Sequence, residues 1–427
     1  MSTRAVPFAS LPLEQAAGRL AEIDRLAEIV GCEHAHLCGN TVSAAPADAQ
    51  QIAEVLRFAN ANGFIVTPTG GGTKLGWGNS GAPAILLSLA RMNAVREHAW
   101  QDMTCTVEAG CRWSAMQTEL ARHGQTVALD PLWPDRATVG GIVSTNDSGA
   151  LRLRYGPLRD LVLGMTVVLA DGTIAKTGGK VVKNVAGYDL HKLMTGSYGT
   201  LGVIAEVNFR LHPVEEHART FTAIAPDAAV FAEPLRALLD AQMTPSSVQL
   251  RAQRGECALD VRFAAVPACL DGHAARLRKI LGEIAVNESS EEVWLARQNL
   301  FNAADAMVLK ISTLPSEICS LSAELQQPAA VEGIEITSVA QAHGLTIVAI
   351  RSALKSAPDA AITFIEELRI KVRASGGSVV ALQIPDAMRG RIDAWDCQSS
   401  ALPLMREIKR RFDPSRILNP GRFVGGI

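Results

Sequence analysis

Apolar positions at helical spacing open the chain: Leu13, Leu20, Ile23, Leu26 and Ile29 predict a helix over residues 12–30. Ile52, Val55, Leu56 and Ala59 predict a second over 46–61, with Pro46 in its first turn and Gly63 as its stop. A short apolar strand at 64–67 then runs directly into Gly70, Gly71 and Gly72. The alternation continues with a strand at 104–107, a helix over 113–123 stopped by Gly124, and a strand at 126–129. Residues 161–169 and 173–177, parted by Asp171 and Gly172, read as a strand pair closed by a two-residue turn. A further strand over 201–211 is ended by Pro213.

From about residue 215 the glycine clusters cease and a new alternation begins. It predicts a helix at 228–240, strands at 247–252 and 257–263, a helix at 270–283 and a strand at 307–312. A helix at 315–326, a strand at 345–351, a helix at 358–374 and a strand at 378–383 follow. Strands and helices in this order indicate an α+β unit with an antiparallel sheet. A last helix at 402–412 leads into a tail, Asp413 to Arg422, with its own proline and glycine signals.

At 427 residues the chain suits two or three globular units. With 48% hydrophobic and 20% charged residues, it has the composition of an ordinary soluble protein. A net charge of −2 offers no basic field for nucleic acid or anionic lipid, so a phosphate must be gripped locally, by backbone amides. No apolar run approaches the roughly 18 residues of a membrane span. The longest, 161–170, lies between Asp160 and Asp171 and reads as a buried strand. Residues 1–12 lack the basic and apolar regions of a signal peptide. Eight cysteines without a Cys-x-x-Cys pair point to reduced cytosolic thiols and give no iron–sulfur ligand set.

Two glycine-rich stretches carry candidate chemistry. In Pro68-Thr69-Gly70-Gly71-Gly72-Thr73-Lys74, directly after a strand, consecutive glycines let backbone N–H groups form an anion nest suited to a pyrophosphate; a flexible surface turn is the plain alternative. Thr138 to Gly149 combines paired glycines with Ser144, Thr145 and Asn146, which could bond phosphate or ring heteroatoms, or could mark a tightly packed helix start. Gly76 to Gly81 matches G-x-G-x-x-G in letters, but it follows a loop and Pro83 falls where a helix would begin, so it is no dinucleotide fingerprint. Cys32, His34, His36 and Cys38 span too far on one strand to share one zinc ion without a turn, though His34 and His36 could chelate as an i, i+2 pair. His191 and His212 are candidate bases or locally bonded histidines. Lys183, Tyr188 and Asp189 read equally as ligand contacts or as an exposed helix start. Arg251, Arg262 and Arg351 could hold a carboxylate or face solvent. No catalytic residue is assigned.

Taken in order, Pro68 to Lys74, Thr138 to Gly149, Arg154-Tyr155-Gly156, Lys183 to Leu190, Gly196 to Val203 and Asn419-Pro420-Gly421-Arg422 resemble the FAD-linked oxidases with a PCMH-type FAD-binding domain. Within them the chain is most similar to the smaller, E-type FAD-binding subunits of bacterial glycolate oxidase. The resemblance implies a two-lobed α+β fold of the p-cresol methylhydroxylase and vanillyl-alcohol oxidase type. Its expected units are an N-terminal helical segment (1–35), an FAD-binding domain (36–214), an α+β cap with an antiparallel sheet (215–400), and a helix and tail returning to the flavin (401–427). It implies FAD contacts from Pro68, Thr69, Gly70, Gly71, Gly72, Thr73, Lys74, Gly78, Thr138, Gly140, Gly141, Ser144, Asn146 and Gly149. Val203 and Ile204 are expected on the adenosine side and Asn419 at the flavin ring. No His or Cys stands near the glycine loop to tether a flavin, so FAD is expected to be non-covalent. The related dehydrogenases carry a metal-binding His pattern where this chain has His343-Gly344-Leu345, so no metal is expected. The implied activity is oxidation of a small 2-hydroxyacid, glycolate or D-lactate, in a complex with a larger flavin subunit and an iron–sulfur subunit. That complex would lie in the cytoplasm and meet the membrane only through the partners. The alternative is a structural or electron-relay flavin subunit whose partner performs the oxidation.

Overall fold

A computed structural model describes residues 13–79, 81–180, 187–327, 334–352, 358–396 and 400–427. The first predicted helix is Leu13–Val30. The second, Ala49–Asn62, begins later than Pro46 suggests because Asp48 caps it: the Asp48 carboxylate accepts the Gln51 N–H at 2.9 Å. Its apolar stripe is fully buried, and Gly63 ends it in the left-handed region, φ 67°.

Two sheets share one core. The first, in the order Ala35–Cys38, Thr41–Ala44, Ile85–Ser88, Val66–Thr69, is parallel except for its leading pair. The second runs Val95–Ala99, Thr104–Glu108, Val203–Arg210, Val162–Val168, Ile174–Gly178 and is antiparallel throughout. Ile52 and Val66 from the first lobe and Val107 and Val207 from the second join Ile142 and Val143, on the short helix Val139–Thr145, in a single apolar cluster. The predicted strand at 126–129 shrinks to Gln125–Thr126, because its only ladder partner among the described residues is the two-residue His212–Pro213.

A third, eight-stranded sheet is antiparallel throughout: Val286–Ser289, Ala218–Ala225, Glu256–Ala264, Ser247–Gln253, Ile334–Gln341, Leu345–Ser352, Met307–Ser312, Ser378–Gln383. Side chains alternate across it. Met307, Leu309, Val348 and Ile350 face helix Pro358–Ala374, whereas Val308, Val339, Ile347 and Ala349 pack on Trp77, Leu132, Tyr198 and Trp395. After helix Leu402–Phe412 the chain returns to the first sheet. Val66 N–H donates to Ile417 O at 2.7 Å and Asn419 N–H to Val66 O at 3.1 Å, so the tail lies parallel to the strand feeding the glycine loop. Among the described residues no helix is long and apolar enough to cross a membrane.

Candidate cofactor site

Strand Val66–Thr69 delivers Gly70, Gly71 and Gly72 onto the segment 136–138. A Cβ on Gly70 would lie 2.0 Å from Thr138 Oγ1, and one on Gly71 1.8 Å from the Arg136 carbonyl oxygen, so two backbones meet with no room for a side chain. Gly72 has φ +70°. None of the amides from Gly70 to Lys74 donates to an acceptor among the described residues; the loop closes only when Leu75 N–H reaches Gly72 O. Across from it, Gly140 packs on Ala109, its N–H 2.7 Å from the Ala109 carbonyl oxygen, while a Cβ on Gly141 would meet nothing nearer than Thr138 Oγ1 at 3.4 Å. Between these walls runs a cleft of about 690 Å³, mouth included.

The tail fixes the cleft's other end. Asn419 Oδ1 accepts from Thr67 Oγ1 at 2.6 Å and its Nδ2 donates to Tyr198 O at 2.8 Å. Arg422 donates to Lys74 O, Leu75 O and Trp77 O at 2.8–3.2 Å, gripping the loop from behind. Lys409 and Asp413, a buried pair 2.6 Å apart, bind Thr200 O, Leu418 O and the Ile417 and Leu418 amides and so hold the tail down. Two buried polar atoms of residues that line the cleft, Thr138 Oγ1 and Tyr198 Oη, have no hydrogen-bond partner among the described residues. Buried polar atoms are normally paired, so these two are open to a ligand. Open amides for an anion and orphaned hydroxyls for polar ring edges fit a flavin dinucleotide.

Comparison with known proteins agrees with this geometry. The FAD binding domain model matches residues 41–178, and the C-terminal domain of FAD linked oxidases matches 396–423. These are the two stretches that meet at the cleft. The chain is an FAD-linked oxidoreductase. It is 26% identical over 413 residues to the glycolate oxidase subunit GlcD of Bacillus subtilis, covering 88% of this chain and 87% of that one. It is also 26% identical over 413 residues to the D-lactate dehydrogenase of Archaeoglobus fulgidus, covering 90% and 91%. The 4-ethylphenol oxidase from Gulosibacter chungangensis shares the fold, with TM-score 0.71 at 14% identity over 96% of this chain and 97% of that one. The architecture is the α+β, PCMH and vanillyl-alcohol-oxidase type that the sequence implies.

Of the expected contact residues of this oxidoreductase, Pro68, Thr69, Gly70, Gly71, Gly72, Thr73, Lys74, Thr138, Gly140, Gly141, Ser144, Ile204 and Asn419 line the cleft. Four do not. Gly78 lies under the tail, where a Cβ would come 2.6 Å from Arg422 O. Asn146 terminates helix Val139–Thr145 at φ 49° and is exposed. Gly149 donates its N–H to Asp130. Val203 is buried in the core, and the strand's alternation turns Ile204 to the cleft instead. Leu75, Leu89, Thr145, Tyr198, Gly199, Gly202 and Arg422 line it as well. Tyr198 and Arg422 belong to motifs legible in the sequence, but their side-chain roles come from long-range contacts.

Lys74 turns its ammonium away from a phosphate role, to 3.2 Å from Asp147 Oδ2 and over the rings of Trp77 and Trp133. Arg297, from beyond the third sheet's first strands, donates to Asp147 Oδ1, Ser148 O and Asp130 O at 2.6–3.2 Å. Burial pushes the Lys74 pKa down against the pull of Asp147. Burial also works to raise that of Asp147, but the charges of Lys74 and Arg297 outweigh it and the carboxyl lies below its ordinary range. No local sequence signal marks Arg297.

The candidate bases lie apart from the cleft. His191 and His212 are buried on Nδ1 without a partner among the described residues, burial lowers both pKa values, and the His212 ring packs on Tyr155 at 4.9 Å. Lys183 falls outside the described residues; Tyr188 is exposed, and Asp189 pairs with Lys192. Arg251 binds Asp260, and Arg262 binds Glu215 and Glu291. Arg351 Nε has no partner among the described residues.

His343 Nε2 lies 3.2 Å from Gly149 O; burial, with Arg152 and Arg297 nearby, pushes its pKa down to about 4. A folded-state pKa below the unfolded value of about 6.5 means the unfolded chain takes up the proton first. Stability should therefore fall as pH drops from about 6.5 to 4, by on the order of 3 kcal/mol from this residue. Thermal melts across that window should show a shallower decline in His343→Gln; parallel declines would refute the assignment.

Proposed function

We propose that this oxidoreductase is the E-type FAD subunit of a complex that oxidises a 2-hydroxyacid, glycolate or D-lactate, and that it holds FAD non-covalently. The supporting observation is the cleft itself, which joins an amide-rich loop and the returning tail and has no His or Cys lining it among the described residues. When bound, FAD would supply the redox chemistry. The chain's own part is to hold and orient. Amides from Gly70 to Lys74 would hold the pyrophosphate and the Thr138 and Tyr198 hydroxyls would bond polar edges, while Asn419 and Arg422 set the loop and tail in register. The working units are the divisions after residues 35, 214 and 400. The partners are a larger flavin subunit and an iron–sulfur subunit in the cytoplasm, through which alone the chain meets a membrane.

A second reading, an electron-relay or structural flavin subunit, is favoured by His343. Its ring bonds a backbone carbonyl and stands among Arg152 and Arg297, a cationic setting adverse to a divalent ion. Acid precipitation should leave the flavin in the supernatant, and affinity purification should bring an iron–sulfur protein with the chain. Flavin remaining in the pellet would overturn non-covalent binding; a flavin-loaded chain that purifies alone from its native host would overturn the complex.

A further inference from the structure

The wall between the cleft and the third sheet is made of rings. Tyr198, which lines the cleft, packs on Trp395 at 5.0 Å and on Phe423 at 5.6 Å, and those two lie 4.8 Å apart. A second trio adjoins it: Trp77, Trp133 and Phe301 have centroids 5.1–6.5 Å apart. Both trios merge with Val308, Val339, Ile347, Ala349, Val380 and Leu382 on the sheet face turned toward the cofactor domain, in one apolar cluster. Close-packed interiors leave few voids larger than a water molecule.

Three of the cations bordering this wall are already committed. Lys74 and Arg297 share Asp147, and Arg422 donates to three backbone carbonyls. A carboxylate brought into an apolar site without a cation pays several kcal/mol in desolvation. Lys310 lies two positions along the strand from Val308, on the same face, and has no partner among the described residues; it would be the first anchor if space opened there.

We propose that the Tyr198–Trp395–Phe423 and Trp77–Trp133–Phe301 rings seal the flavin end of the cleft, so that this subunit's FAD exchanges electrons with a protein-bound redox centre and not with a hydroxyacid. The proposal rests on the second reading above and on Asn419, expected at the flavin ring, whose Nδ2 donates to Tyr198 O. Two electrons and two protons would leave the substrate at another subunit's flavin; the electrons would pass by way of the FAD held here to an iron–sulfur centre, one at a time, and the protons to solvent.

The test uses purified, flavin-loaded protein under anaerobic conditions, with flavin content measured first. Sulfite, a small nucleophile that bleaches accessible flavin, and the pair glycolate and D-lactate serve as probes, and dithionite as the control that reduces flavin without a substrate site. Dithionite should bleach the wild type, while sulfite and both hydroxyacids leave it coloured. Phe423→Ala should retain flavin and bleach with sulfite about tenfold faster or more. Phe423→Leu, a smaller change that keeps the tail packed, should fall between. Rapid bleaching of the wild type by sulfite, or reduction by a hydroxyacid that Lys310→Met abolishes, overturns the proposal. Purification of the wild type without flavin sinks the cofactor reading instead.

Discussion

Gly71→Val is expected to purify folded but colourless, whereas Gly76→Ala keeps its flavin. The reason is a close approach. Gly71 does not occupy the left-handed region; Gly72 does, at φ +70°. At Gly71 a Cβ would stand 1.8 Å from the Arg136 carbonyl oxygen, and that segment cannot retreat. Arg136 and Ala137 N–H both bond Trp133 O, at 2.9 and 2.8 Å, and Ala137 O accepts from Trp113 N–H at 3.0 Å. The glycine loop must therefore move, and it carries the open amides. Hydrogen bonds to a charged group contribute about 1.5–3 kcal/mol each. Losing two costs about 3–6 kcal/mol, or two to four orders of magnitude in Kd. Gly76 has no neighbour within 4 Å of a Cβ and no positive φ, so alanine is accommodated there. Flavin-to-protein absorbance after desalting, with far-UV circular dichroism as a check on folding, separates the outcomes. Equal flavin content in both variants would place the pyrophosphate elsewhere.

The glycine loop was legible because its requirement is local: three residues without side chains, directly after a strand, have few other uses. Most elements of the third sheet were legible for a similar reason. Met307, Leu309 and Ile311 alternate cleanly, and the helix over Pro358–Ala374 keeps Ala361, Ile365, Leu368 and Val372 on one face. The missed strands lack such contrast. In Ala218–Ala225 the inward residues include Ala223 and Ala225, and Ala35–Cys38 has one buried position followed by three exposed ones. At the site, the hidden information is long-range. Asn146 looks like the functional member of Asn-Asp-Ser-Gly, yet its neighbour Asp147 is the buried one, for its partners Lys74 and Arg297 lie 73 and 150 positions away. Asn419 was legible as a tail residue near the site, but not as the pin that holds Thr67 and Tyr198 in place.

Asp147→Ala is expected to lose about 3–5 kcal/mol of stability, the range for removing one partner of a buried ion pair. The Asp147 side chain is 3% exposed and answers two cations that are themselves 4% and 9% exposed, while Oδ2 accepts the Leu132 N–H at 2.8 Å. Alanine leaves Lys74 and Arg297 facing each other with no counter-charge and Leu132 with an unmade hydrogen bond. The pair's presence is not in itself a large gain over an apolar replacement; the penalty comes from breaking it on one side. Asp147→Asn keeps the shape and the acceptor but not the charge, so it should recover the Leu132 bond and remain destabilised. Because Lys74 is part of the glycine loop and Arg297 comes from the far side of the aromatic wall, the cost should appear in flavin retention as well as in unfolding. Urea titrations of the apoprotein, followed by FAD binding at a concentration where each variant is folded, separate the two effects. A midpoint for Asp147→Ala within about 0.5 kcal/mol of wild type, the scatter of ordinary surface changes, would show that the network neither supports the fold nor ties the loop to the wall.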